Sequence, residues 1–234
     1  MSLRWYNGAM GLRGPKPKGK VKIKWSPNFA YAIGLIATDG NLSSNGRHIS
    51  FVSKDIEQVD NFMKCLGLDV KIGKTISGYN GNSANKVQFG DILFYNFLET
   101  IGLHPNKSKT IGEILIPKNY FFDFLRGAFD GDGCFYSYWD PRWRSSHMFY
   151  VEFVSASKLH IDWLRNEIFE RLAVKGHITK DGKGSTYQLK YAKKEALEII
   201  KKMYYNRRVV CLSRKRVKIE KATAIEKKQQ KLYP

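Results

Sequence analysis

The chain has 234 residues, 43% of them hydrophobic, and a formal net charge of +19. Its length and apolar content suffice for a packed core and exclude a disordered chain, and no apolar run reaches the length of a membrane-spanning helix. So large a positive excess points to a polyanionic partner, with nucleic acid the first candidate and an acidic membrane surface the second.

In chain order, residues 1–24 carry seven basic side chains and no acid, and Lys16 and Lys18 alternate with Pro15 and Pro17, which predicts an extended basic arm. The start lacks the apolar core of a secretory signal. Ser26-Pro27 reads as a helix start, with Ser as cap and Pro at the first helical position, and the helix runs to about Thr38. Asn45-Gly46 is a turn signal between strands at Asn41–Ser44 and Arg47–Ser53. Asp55 with Gln58 three residues later resembles a capping box opening a helix that stops at Gly67. A second hairpin spans Val70–Ser77 and Lys86–Phe89, and a helix from about Asp91 to Thr100 follows.

The same order then recurs: a helix over Tyr120–Phe129, a hairpin over Cys134–Ser155, a helix over Ser157–Ala173, a hairpin over Lys175–Tyr191 and a helix over Lys193–Tyr204. Residues 207–231 carry ten basic side chains against Glu220 and Glu226. The two basic ends read either as solvated tails or as segments that track a phosphate backbone.

The recurrence is visible in the residues themselves. AIGLIATDG at 32–40 matches LRGAFDGDG at 125–133, so that Gly34, Asp39 and Gly40 fall on Gly127, Asp132 and Gly133 at an offset of 93. Further on, Phe51-Val52-Ser53 matches Phe153-Val154-Ser155, and Val87-Gln88-Phe89 matches Tyr187-Gln188-Leu189. The offset has then grown to about 100, which places an insertion near Asp140–His147. The reading is an α+β chain of two pseudo-symmetric αββαββα halves, each a four-stranded antiparallel sheet backed by helices. The expected divisions are a basic arm at 1–24, repeats at 25–118 and 119–219, and a basic tail at 220–234.

Small residues recur at helical spacing in the two matched helices: Ala30, Gly34 and Ala37 in one, Gly127 and Gly131 in the other. They predict close packing of the two helices at the interface of the halves, each helix ending in Asp-Gly at the same end. Asp39 and Asp132 then lie side by side at two helix C-termini, where the macrodipole already disfavours a carboxylate by about 0.3–1 kcal/mol. A divalent cation would relieve the repulsion. Hard oxygen ligands suit Mg²⁺, and carboxylate-held metals that activate water and clamp phosphate describe nuclease chemistry. A single Asp-Gly would be only a helix stop; two in register carry the functional reading.

With these motifs the sequence resembles the LAGLIDADG homing endonucleases in their two-motif, monomeric form, over nearly the whole chain after residue 25. The resemblance implies that the last acid of each motif, Asp39 and Asp132, binds the catalytic metal, with Gly40 and Gly133 in the metal site. The family's earlier motif acid is present as Asp130 but replaced by Ala37 in the first copy, so Asp130 is not expected to be essential. Lys107 in Asn106-Lys107-Ser108-Lys109 and Lys215 in Leu212-Ser213-Arg214-Lys215 look like the family's lysine-bearing segments; the alternative is a solvated basic loop. Lys54 stands where the family puts a polar pocket residue. Its counterpart is Ala156, which would let the two strands be cut at unequal rates.

The family cuts both strands of a long DNA target, leaving short 3′ overhangs, and its members are usually encoded in introns or inteins. A start at Met1 and an end at Leu232-Tyr233-Pro234 favour the free-standing or intron-encoded form.

Hairpins fit the major groove, where Arg and Lys read guanine and Asn and Gln read adenine. The candidate DNA-contacting residues of the first half are Ser43, Asn45, Arg47, Ser50, Lys74, Tyr79, Asn80, Asn85, Lys86 and Gln88, with His48 beside them. Those of the second are Tyr136, Tyr138, Arg142, Arg144, Lys180, Lys183, Gln188 and Lys190.

Other patterns fail on inspection. Gly14 to Gly19-Lys20 has Val21 where a phosphate-binding loop needs Ser or Thr, and Asp130-Gly131-Asp132-Gly133 has Cys134 at the next calcium-ligand position. The five histidines show no metal-ligand spacing. Three scattered cysteines, Cys65, Cys134 and Cys211, form no CxxC pair; they argue against a disulfide framework or structural zinc and for a reducing cytoplasmic or organellar compartment. The same scaffold could instead serve as an RNA-binding splicing maturase or as a DNA-binding regulator without cleavage.

Overall fold

In a computed structural model, which describes residues 19–76, 81, 83–143, 145–182 and 184–232, each half forms as an αββαββα unit. The first comprises α1 (Pro27–Asp39), β1 (Gly40–Leu42), β2 (His48–Ser53), α2 (Ile56–Leu66), β3 (Gly73–Ile76), β4 (Ser83–Gly90) and α3 (Ile92–Thr100). The second comprises α4 (Phe121–Asp132), β5 (Cys134–Trp139), β6 (His147–Ser155), α5 (Lys158–Leu172), β7 (His177–Lys180), β8 (Tyr187–Ala192) and α6 (Lys193–Met203), and is followed by α7 (Ser213–Leu232). The sheets are antiparallel with the same order, β1-β2-β4-β3 and β5-β6-β8-β7.

Local chemistry sets several boundaries. The Ser26 hydroxyl caps α1 by accepting from the Phe29 N–H at 3.1 Å, with Pro27 in the first turn. Gly67 ends α2 in the left-handed region, at φ 64°. The Asp91 carboxylate caps α3 through the Phe94 N–H, while its other oxygen accepts from the N–H groups of Lys20 and Val21, tying the inner end of the basic arm to the first half.

The Asp55–Gln58 capping box does not form. The Asp55 side chain makes no cap bond and pairs with Arg214 instead, and Gln58 accepts from Ser53 Oγ at 2.6 Å while donating to the Asp130 carbonyl at 3.0 Å. The Asp55 N–H, which a capping-box glutamine would accept, donates to Ser53 Oγ at 3.1 Å instead.

The strand register corrects the second-half match. Phe51 pairs with Val87 and Phe153 with Leu189, so Leu189, not Tyr187, is the counterpart of Val87, and Lys190 that of Gln88. The slip is two residues, which keeps every side chain on its own face. The inserted residues lengthen the β5–β6 hairpin: β5 has six residues where β1 has three.

Each sheet buries one face under helices. Phe51 stacks on Phe62 of α2 at 4.5 Å, and Phe149, Val151, Phe153, Leu189 and Tyr191 fill the second core. Between the halves, α1 is buried at every position from Phe29 to Ala37, as a helix with apolar residues all round requires. It crosses α4 at glycine: a Cβ on Gly34 would lie 2.2 Å from the Phe124 carbonyl oxygen, and one on Gly127 2.0 Å from that of Tyr31. Backbone meets backbone there, as the small-residue spacing predicts.

Residues 213–232 form one helix, α7, which runs through position 220, where a tail was expected to begin, and packs Ile219 and Ala222 beside β5 and β6. Residues 1–18 of the basic arm lie outside the described residues. Among the described residues no helix is long and apolar enough to cross a membrane.

Candidate active site

The crossing of α1 and α4 brings their C-terminal ends together. A side chain on Gly131 would collide with Thr38 and would come within 2.9 Å of Asp39 Oδ2, so the Asp39 carboxylate lies against the last turn of α4, beside Asp132. Burial, and then the charge of Asp132, push Asp39 up to about 7; burial likewise raises Asp132. The positive charges of Lys215 and Lys107 oppose both shifts.

The two lysines mirror each other. Lys107 is buried and donates to the Gly40 carbonyl just after α1. Lys215, on the first turn of α7 and not in a loop, is also buried. It donates to the carbonyls of Phe129 (2.5 Å), Asp130 (2.9 Å), Gly131 (3.3 Å) and Gly133 (2.6 Å), covering the C-terminus of α4. Burial lowers both ammonium groups to about 8, with nearby carboxylates holding them up, so both remain mostly charged at neutral pH. Two carboxylates and two lysines thus share one site.

The carbonyls of Gly40 and Gly133, expected in the metal site, accept from Lys107 and Lys215. Among the described residues there is no cluster of three or more His, Cys, Asp or Glu side chains able to hold a metal. The carboxylates that meet here are Asp39 and Asp132. Two neighbouring carboxylates, Asp39 half-buried and Asp132 exposed, fit a cation that keeps several waters and takes one or two protein oxygens, as Mg²⁺ does.

Lys54 is exposed and makes no ion pair among the described residues; its carbonyl accepts from Asn85. Asp130, by contrast, is buried and structural. Its Oδ2 accepts from the Tyr31 hydroxyl at 2.8 Å and from the Leu212 N–H at 2.6 Å, anchoring the approach to α7 and hence Lys215. Sequence reasoning missed Arg126, which is fully buried. It donates to the carbonyls of Val210 and Met203 and pairs with Asp123 at 2.7 Å. Its signal was a lone arginine inside an apolar helix.

The open face of the first sheet aligns Asn41, Ser50 and Gln88 across three strands, with Lys86 opposite Val52. Ser43, Asn45 and Arg47 occupy the β1–β2 loop, where Asn45 Oδ1 accepts from the N–H groups of Arg47 and His48 and holds the turn. On the second sheet the open face carries Tyr136, stacked on Tyr150 at 5.1 Å, with Tyr138 parallel to Tyr150 at 6.3 Å. Gln188 lies beside Val154, and Lys190 pairs with Glu152 at 3.2 Å. Arg142 at the hairpin tip is held by Asp140.

Three candidates fall on the helix-packed side by strand parity. Asn85 is buried, donating to the Lys54 carbonyl and accepting from Lys74 at 2.6 Å, and Lys180 lies over the Tyr187 ring. Lys74, Asn85 and Lys180 therefore sit apart from the open faces. Tyr79, Asn80, Arg144 and Lys183 lie outside the described residues.

This architecture is the LAGLIDADG fold. No protein-family model matches the sequence, and no curated protein matches it. Among solved structures, the meganuclease I-SmaMI bound to uncleavable DNA is similar with a TM-score of 0.60 at 14% identity, over 88% of this chain and 91% of that one. The I-LtrWI LAGLIDADG homing endonuclease bound to target DNA gives a TM-score of 0.54 at 13% identity, over 88% and 90%. Full-length DUF199/WhiA from Thermatoga maritima gives 0.57 at 16% identity, and this chain, 88% covered, spans 62% of its length.

Proposed function

We propose that the protein is a site-specific endonuclease that makes double-strand breaks in a long DNA target by metal-dependent phosphodiester hydrolysis, acting as a monomer. The observation that carries this reading is the meeting of Asp39 and Asp132 at two helix C-termini, with Lys107 and Lys215 mirrored about them.

Asp39 and Asp132 would hold a divalent cation, Mg²⁺ by its preference for carboxylate and water oxygens, which when bound would supply an activated water and charge for the scissile phosphates. The chain's own groups do the rest. Lys107 and Lys215 are fixed by the carbonyls they contact, so their charge faces a developing phosphorane without reorganisation. The open sheet faces hold the duplex by phosphate and base-edge contacts. The glycine crossing of α1 and α4 fixes the spacing of the two carboxylates.

The test is a cleavage selection on a randomised plasmid library with Mg²⁺, using Ca²⁺ and the Asp39→Asn/Asp132→Asn double variant as controls. Specific double-strand breaks with wild type and Mg²⁺ alone are expected, with DNA affinity retained in the variant. Retention of one DNA sequence without cutting would replace the reading with a regulator, and selective retention of a structured intron RNA would replace it with a maturase.

A further inference from the structure

The C-terminal helix α7 has no counterpart after the first half's α3, and its two sides differ sharply. One side carries Lys215, Ile219, Ala222 and Glu226, all buried against the second half. The other carries Lys218, Lys221 and Lys228, all exposed. At 3.6 residues per turn these three lysines fall within one narrow sector of the helix, and they span ten residues, or roughly 15 Å of its length.

Of the other charges on the helix, Lys227 is exposed about 100° around from Lys228 and makes no ion pair among the described residues, whereas three are answered from within the chain. Arg214 pairs with Asp55 at 2.7 Å, Arg216 with Glu220 at 3.0 Å, and Glu226 with Lys193 at 2.5 Å. Among the described residues Lys218, Lys221 and Lys228 make no ion pair, and the stripe they form contains no acid.

Its position matters as much as its charge. Lys218 and Lys221 line a cleft with Phe135, Tyr136 and Ser137 along the outer edge of β5, and Tyr136 belongs to the open face of the second sheet. The stripe therefore continues that face past its edge strand.

We infer that the Lys218–Lys221–Lys228 face of α7 is a rail for the phosphate backbone of duplex DNA, extending the contact made by the second sheet. The inference rests on the reading of the open sheet faces as the DNA surface and is independent of cleavage. Each strand of duplex DNA carries one charge per roughly 3.4 Å of helix axis, and its phosphates are spaced more widely than that along the strand itself, so a strand lying along the stripe offers a short run of phosphates to three ammonium groups. Such contacts carry no base information. They add affinity on every sequence and steepen its dependence on salt.

The experiment uses the full chain and two duplexes, one of random sequence and one selected for binding, with affinity measured in Ca²⁺ across a series of KCl concentrations. Each phosphate contact contributes about 0.9 to the slope of log K against log salt, so the Lys218→Gln/Lys221→Gln/Lys228→Gln variant should lose roughly 2 to 3 from the slope on both duplexes. A variant with Lys118, Lys201 and Lys202 changed to Gln has lost the same charge elsewhere and should keep most of the slope. Unchanged melting temperatures of both variants would establish that folding is intact, as their exposed positions predict. A wild-type slope in the α7 variant, or an equal loss in the control, would overturn the rail while leaving the sheet surface standing. Absence of DNA binding by the wild-type chain would overturn both.

Discussion

Replacing Gly34 with Ala tests the contact that places the two aspartates. The new Cβ would lie 2.2 Å from the Phe124 carbonyl oxygen, 2.7 Å from the Ala128 nitrogen and 2.9 Å from Gly127 Cα, and all three are backbone atoms that cannot swing aside. Ordinary contact begins near 3.4 Å, so α1 and α4 must separate by more than an ångström. Overpacking of this kind costs up to about 3 kcal/mol. Alanine returns about 1 kcal/mol as a better helix former, which leaves about 2 kcal/mol of net destabilisation. For a chain of this size that corresponds to a melting temperature lower by about 4–8 °C.

The internal control is Gly182→Ala, where a Cβ meets nothing within 4 Å. Thermal unfolding followed by circular dichroism compares the two variants under one buffer. Equal melting temperatures would refute the close crossing, and with it the account of how Asp39 and Asp132 are brought together.

Three further outcomes are expected. Because Asp39 titrates near 7 when folded and near 3.8 when unfolded, the folded chain binds more protons between those values, and its stability falls as pH rises from about 4 to 7. Asp39→Asn removes that loss, so urea unfolding should show the variant gaining on wild type across this window and no further above it; a constant difference would contradict the shift. Lys215→Met should cost on the order of 3 kcal/mol and Lys107→Met about half as much, since Lys215 serves four carbonyls and Lys107 one; denaturant titration of both variants would expose the reverse order. Arg126→Lys should lose about 2 kcal/mol despite keeping the charge, because an ammonium group cannot reproduce the fork that reaches Val210, Met203 and Asp123 together; near-wild-type unfolding would count against that network.

The repeat was readable because its cause is local and steric. Gly34 and Gly127 are glycine for want of space, and the two Asp-Gly steps mark where each helix gives way to a strand. Caps were equally plain where donor and acceptor are neighbours, as at Ser26. What failed depended on distant partners. Gln58 looked like a capping residue, but its oxygen accepts from Ser53 Oγ and its amide donates to the Asp130 carbonyl across the fold. The second-half match slipped by two because a strand repeats its pattern at that interval. The same alternation could have kept Asn85 off the DNA face, since it shares the parity of Val87 and Phe89. The helix α7 was unreadable for a different reason: its buried side contains Lys215 and Glu226 as well as Ile219 and Ala222, so no apolar stripe announces it.

The two open sheet faces share a register but not a vocabulary. One offers hydroxyl and amide groups in the row Asn41, Ser50 and Gln88; the other offers the rings of Tyr136, Tyr138 and Tyr150. Under the proposed function, a palindromic target would suit only one of them. The protein would carry a left and a right, and its site would have a direction that the enzyme can sense before either strand is broken.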